Sequence, residues 1–122
     1  MKRNENHLLG RWGEEQVADW MRHHGYRIIA AGYCCRFGEI DLIAINGKFI
    51  CFTEVKLRKS NEFAHAREFV DIHKQNKIKI TAEYYLAEHP VEFQPRFDVA
   101  EIYAPEGRMT KEPSIIYLEN AF

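Results

Sequence analysis

Gly38-Glu-Ile-Asp-Leu-Ile-Ala-Ile45, then Asn46-Gly47, then Lys48-Phe-Ile-Cys-Phe-Thr-Glu-Val-Lys56 is the stretch that decides the fold. Two runs rich in β-branched and aromatic residues flank Asn46-Gly47, the dipeptide that most readily supplies the positive φ values of a tight hairpin. Side chains alternate across a strand, so Glu39 and Asp41 share one face of the first run, and Glu54 and Lys56 share one face of the second. A two-residue turn makes the runs antiparallel neighbours and sets the two polar pairs side by side. Ile40, Leu42, Ala44, Cys51, Thr53 and Val55 are then expected on the opposite face.

Three carboxylates and a lysine in the middle of apolar strands need a physical reason. An unpaired buried charge is costly, so the group must be mutually paired, solvated in a cleft, or holding a metal. Oxygen ligands at this density suit a hard divalent cation, Mg²⁺ or Mn²⁺, and a lysine beside them can orient a water or counter charge developing on a phosphate. The competing reading is an exposed ladder of Glu–Lys and Asp pairs on a solvated sheet edge.

The chain's 122 residues predict a single domain over 1–122, large enough for one core. With 46 % hydrophobic and 29 % charged residues, the composition is that of an ordinary globular protein. A net charge of −1 excludes a global basic field, so any nucleic-acid contact must come from a local patch. Cys34, Cys35 and Cys51 are odd in number and contain no Cys-x-x-Cys, which argues against a disulfide framework or a structural zinc. Reduced thiols, a polar Met1–Gly10 and no apolar run of membrane length lead to the expectation of a cytoplasmic protein without membrane association.

Leu9, Trp12, Gly13, Val17, Trp20 and Met21 follow helical spacing, predicting a helix over about 6–24 capped by Asn4 or Asn6. Glu14 borders that stripe, either facing a cleft or lying at a solvated flank. Gly10 and Gly13 cost about 1 kcal/mol each against Ala, tolerable where a helix must pack closely. A short strand is expected over Tyr26–Ala31 and a connector over Gly32–Gly38. Residues 58–68 read as a polar flap beside the hairpin. A second helix runs from Phe69 or Val70 to Glu88, burying Ile72, Ile78, Ala82, Tyr85 and Leu86, with Pro90 beyond its end. Between Lys56 and Lys79 seven Lys/Arg face three Asp/Glu, which makes Arg58, Lys59, Lys74 and Lys77 the natural phosphate-backbone contacts; a solvated amphipathic helix is the alternative. Arg96–Tyr103 and Ser114–Leu118 complete the strands, the latter at an edge. The order αβββαββ makes an α/β domain with a mixed sheet flanked by helices.

The six histidines are scattered without zincin spacing, and there is no phosphate loop, nucleophile elbow or dinucleotide fingerprint. What remains is a resemblance. Gly13-Glu14, Gly38-Glu-Ile-Asp-Leu-Ile-Ala44, Phe52-Thr-Glu-Val-Lys56, Lys74-Gln75, Arg96-Phe-Asp-Val99 and the terminal Glu-Asn-Ala-Phe122 resemble, in order and over nearly the whole chain, the YraN-type bacterial family. That family groups with endonucleases of the restriction-endonuclease-like superfamily and is similar to archaeal Holliday junction resolvases.

The resemblance implies a restriction-endonuclease-like core and Mg²⁺- or Mn²⁺-dependent hydrolysis of phosphodiester bonds in DNA, branched or otherwise structured. Asp41 and Glu54 would hold the metal, Lys56 would be the catalytic lysine, and Glu14 would complete the acidic set. Glu39 and Gln75 match family positions as accessory residues. A junction resolvase would need two sites related by a dyad, hence a homodimer. The alternative expectation is a nuclease fold without catalysis, serving as a nucleic-acid-binding or assembly module.

Overall fold

The computed structural model describes residues 2–59 and 70–122. The hairpin is present: β1 (Arg27–Cys35) is followed by β2 (Gly38–Asn46) and β3 (Phe49–Arg58), each antiparallel to the one before. Its loop is Gly47-Lys48 rather than Asn46-Gly47, because Asn46 already pairs with Phe49. Of these residues only Gly47 takes a positive φ, 58°, as glycine does at the first position of a II′-type loop. β1 is longer than expected and absorbs Cys34 and Cys35, which pair with Glu39 and Gly38.

Helix α2 (Ile72–Glu88) separates β3 from β4 (Gln94–Tyr103), which pairs parallel to β3 from Phe49↔Gln94 to Arg58↔Tyr103. Parallel neighbours require such a crossover. β5 (Ser114–Leu118) pairs antiparallel with β4 and ends the five-stranded sheet, whose order is β1-β2-β3-β4-β5. The expected α/β class, a mixed sheet flanked by helices, is therefore the observed one, and it is compatible with a nuclease-like core.

Helix α1 (Lys2–His23) covers one face of the sheet. Its Val17, Ala18 and Met21 pack with Leu42, Ala44, Cys51, Ala100 and Ile102. On the other face Ile78, Ala82 and Tyr85 of α2 pack with Ile43, Ile50, Phe52 and Val99. Asn6 lies inside α1 instead of capping it. Ile72, expected in the core, is exposed because it sits six residues before Ile78, off the 3.6-residue period. Thr81 is buried on α2 in addition. Gly13 carries the close approach expected of it: an added Cβ would meet Leu57 Cδ1 at 3.1 Å and Ile102 Cγ2 at 3.8 Å. Gly10 faces open space.

One departure from the sequence expectation decides where the site lies. Ile40 packs with Ile43 on the α2 side, not with Leu42 and Ala44 on the α1 side. Residues three apart on a regular strand face opposite ways, so the pleat is broken between them. The β2–β3 ladder ends in the same place, at Leu42↔Thr53. Asp41 stands where the two strands part.

A buried polar network ties the sheet to the C-terminal residues. Asp98 Oδ2 accepts hydrogen bonds from Arg96 Nη2 at 2.9 Å and Tyr117 Oη at 2.6 Å, and Asp98 Oδ1 accepts from the Asn120 backbone N–H at 2.9 Å. Arg96 Nη2 also donates to Tyr26 Oη, and Tyr117 Oη lies 2.9 Å from Thr53 Oγ1. Among the described residues no helix is long and apolar enough to cross a membrane. The flap expected over 58–68 lies outside the described residues except for Arg58, which ends β3, and Lys59.

Candidate active site

Asp41 is positioned by the broken pleat. Beyond Leu42↔Thr53 the β3 backbone has lost its partner on the β2 side, and the Val55 N–H donates instead to Asp41 Oδ2 at 2.8 Å. That bond holds the carboxyl between the parting strands, against Glu54 of β3 and Glu14 of α1. Glu14 reaches it because Gly13 lets α1 settle onto Leu57 and Ile102. Asp41, Glu54 and Glu14, the acidic set that the resemblance implies, thus come together from three elements.

Their electrostatics follow from burial. Burial first, then the negative charge of Glu54, pushes the Asp41 carboxyl up to about 7; the Val55 N–H opposes this and Glu14 adds to it. Burial also raises Glu14, opposed by its interaction with Asp41 and reinforced by the charge of Glu39. Glu54 is buried, and two ammonium groups converge on its Oε2: Lys74 Nζ at 2.9 Å and Lys56 Nζ at 3.8 Å. The hydrogen bond with Glu54 raises Lys74, burial opposing it.

A cavity of about 240 Å³ opens on this cluster, lined by Gly38, Glu39, Asp41, Glu54, Lys74, Lys77 and Ile78. A larger one of about 750 Å³ runs along α1 past Arg11 and Glu14 and shares Glu39 and Asp41 with it. Glu39 is exposed at their junction, its Oε2 3.9 Å from Cys34 Sγ.

The remaining sequence candidates separate. Gln75 turns its amide to the Val70 carbonyl, 2.8 Å away, and so fixes the approach to α2 rather than joining the carboxylates. Arg58 is mostly buried and pairs with buried Glu101 at 3.3 Å. Lys59 and Lys77 are exposed. Lys74, expected only as a phosphate contact, lies in the cluster itself. Two features escaped sequence reasoning: the capture of the Val55 N–H by Asp41, and the Arg96–Asp98–Tyr117 network. The i, i+2 placement of Arg96 and Asp98 on one strand face was the available signal for the second.

The donor set fits a hard divalent cation: carboxylate oxygens, one of them raised to about 7 by burial first and then by the negative charge of its neighbours. Among the described residues no group of three or more His, Cys, Asp or Glu is arranged to hold a metal ion as it stands. Asp41 and Glu54 form a pair, which suffices for Mg²⁺, an ion commonly bound through one or two carboxylates with waters and substrate phosphates filling the rest.

A family model described as "Uncharacterised protein family UPF0102" matches residues 13–102, from Gly13 of α1 to Ile102 of β4. The chain is similar to the UPF0102 protein TTE1452 of Caldanaerobacter subterraneus subsp. tengcongensis, 39% identical over 123 residues and covering all of both chains. It is 41% identical over 120 residues to a UPF0102 protein of Prosthecochloris aestuarii, spanning 95% of this chain and 94% of that one. With a UPF0102 protein of Caldicellulosiruptor bescii it shares 45% identity over 97 residues, 78% of this chain and 82% of the other. The matched span contains Glu14, Asp41, Glu54, Lys56 and Lys74, so the chain, with its whole carboxylate–lysine cluster, belongs to the UPF0102 family.

Proposed function

We propose that this protein is a DNA endonuclease dependent on Mg²⁺ or Mn²⁺, acting on branched or structured DNA. The observation that carries the reading is the meeting of Asp41 and Glu54 from adjoining strands, with the Lys56 and Lys74 ammonium groups beside Glu54. A divalent cation bound there supplies Lewis-acid stabilisation of phosphoryl charge and a water nucleophile at neutral pH.

The chain's own groups do the rest. Asp41 and Glu54 provide the oxygen ligands, with Asp41 kept in place by the Val55 N–H. Glu14 lies within reach of Asp41 to accept a proton or hold a water. Lys56 counters charge developing on the phosphate. Lys59 and Lys77 meet flanking phosphates. Symmetrical cutting of a four-way junction calls for a homodimer, which sedimentation of the protein alone and with DNA would reveal.

The test is cleavage of linear, flapped and four-way DNA in Mn²⁺, with Asp41→Ala, Glu54→Ala and Lys56→Ala in parallel. Loss of about 100-fold or more in each variant supports the reading. Variants that cut as well as the parent refute it.

The short Lys74–Glu54 contact favours a second reading, in which the cluster is neutralised internally and the fold serves as a nucleic-acid-binding or assembly module without catalysis. Calorimetry separates the two: DNA binding without heat of Mg²⁺ or Mn²⁺ binding selects the module.

A further inference from the structure

Two lysines approach one oxygen of Glu54, and the closer is not the lysine of the Glu-x-Lys strand. Lys74 Nζ lies at 2.9 Å, a charge-assisted hydrogen bond, whereas Lys56 Nζ at 3.8 Å is beyond hydrogen-bonding range. Lys74 comes from a separate element, the first turn of α2. Its backbone is fixed there: its N–H donates to the Asp71 cap at 2.9 Å, and the neighbouring Gln75 anchors on the Val70 carbonyl. Its side chain is not fixed in the same way, being 49% exposed on the rim of the smaller cavity. The backbone therefore holds still while the ammonium can change partners.

We propose that Lys74 is the resident counter-cation of the metal-free site: a divalent ion displaces it from Glu54, and the released ammonium then meets a phosphate oxygen of the substrate. The inference rests on the reading of Glu54 as a metal ligand. A carboxylate must be free of competing protons and cations to bind a metal, so affinity for the ion is reduced by whatever the Lys74 contact contributes. The ammonium set free remains tethered beside the cavity. Metal binding thereby converts a group that neutralises the protein into one that attracts DNA, and the site acquires affinity for phosphate as it becomes competent to cut. Lys56, on the same strand as Glu54 and 3.8 Å from Oε2, has only a longer and weaker contact to give up.

The test is calorimetric titration of the full chain with Mn²⁺, comparing the parent with Lys74→Gln, Lys74→Arg, Lys56→Gln and Asp41→Asn. Lys74→Gln is expected to bind Mn²⁺ about twofold to fivefold more tightly, the range for a partly exposed ion pair removed from competition. Lys74→Arg should stay near the parent, and Lys56→Gln should tighten binding less than Lys74→Gln. In steady-state cleavage of a short branched DNA at saturating Mn²⁺, Lys74→Gln should raise KM severalfold and leave kcat nearly unchanged. Unchanged or weaker Mn²⁺ affinity in Lys74→Gln overturns the proposal, and if Asp41→Asn still abolishes Mn²⁺ binding, the metal site itself stands. A parent that binds no Mn²⁺ removes both.

Discussion

Replacing Asp41 by Asn should make the metal-free protein more stable while removing its response to metal. Asp41 is raised from 3.8 to about 7 by burial and by the charges of Glu54 and Glu14. In the folded chain its protonated form is therefore favoured. The associated stability is fully present below the unfolded value of 3.8 and is lost as pH rises through about 7. A shift of roughly three units corresponds to about 4 kcal/mol, an upper bound because the side chain is partly solvated. Asparagine keeps an oxygen for the Val55 N–H and carries no charge to be penalised.

In EDTA at pH 8 the variant should gain about 1–3 kcal/mol, or several degrees in Tm for a domain of this size. At pH 4 the gain should vanish, since the parent is already close to neutral there. Excess Mn²⁺ should raise the parent's Tm by mass action and leave the variant's where it was. Differential scanning calorimetry at the two pH values, with and without Mn²⁺, reads all of this. A variant less stable than the parent at pH 8 in EDTA, or equally shifted at both pH values, would refute the electrostatic account of the site.

Gly10→Ala, facing open space, should stabilise by about 0.5–1 kcal/mol in chemical denaturation; Gly13→Ala, whose new methyl meets Leu57 Cδ1 at 3.1 Å, should fall short of that gain and slow cleavage by shifting Glu14 from the cluster. Lys59→Ala should leave Tm unchanged and reduce the slope of log affinity for DNA against log salt by about one, whereas Arg58→Ala should cost about 1–3 kcal/mol of stability by depriving buried Glu101 of its ion pair. Tyr117→Phe removes the shortest bond to Asp98, 2.6 Å, and should lower unfolding free energy by about 1–2 kcal/mol with cleavage per folded molecule unaffected. A catalytic defect in that variant at equal folded fraction would show that the network reaches the site.

The sheet was legible because its signals are local. Alternation across residues 38–56 and a turn dipeptide at 46–47 suffice for an antiparallel pair, and moving the loop by one residue to Gly47-Lys48 left Asp41 and Glu54 on the same side. The hairpin spacing set Lys56 beside the acids, whereas only the family resemblance chose between the cleft and the solvated flank for Glu14. What could not be read was non-local. The placement of Ile40 with Ile43 depends on a break in the pleat that no residue type announces, and the Asp41–Val55 bond forms where β3 parts from β2. Lys74 and Arg58 looked alike in a basic stretch. Their difference, one on Glu54 and the other on Glu101, is set by where α2 and β4 dock.

The parallel seam between β3 and β4 joins residues 45 positions apart, as 49 and 94 are, whereas the turn between β2 and β3 joins nearest neighbours. Short-range contacts form before long chain closures. The anionic half of the cleft thus belongs to the part of the chain that organises soonest, and its Lys74 partner arrives only with the crossover. A nascent chain in which residue 74 has not yet emerged would display the two acids with Lys56 alone beside Glu54, and the closer ammonium would be added only when α2 docks.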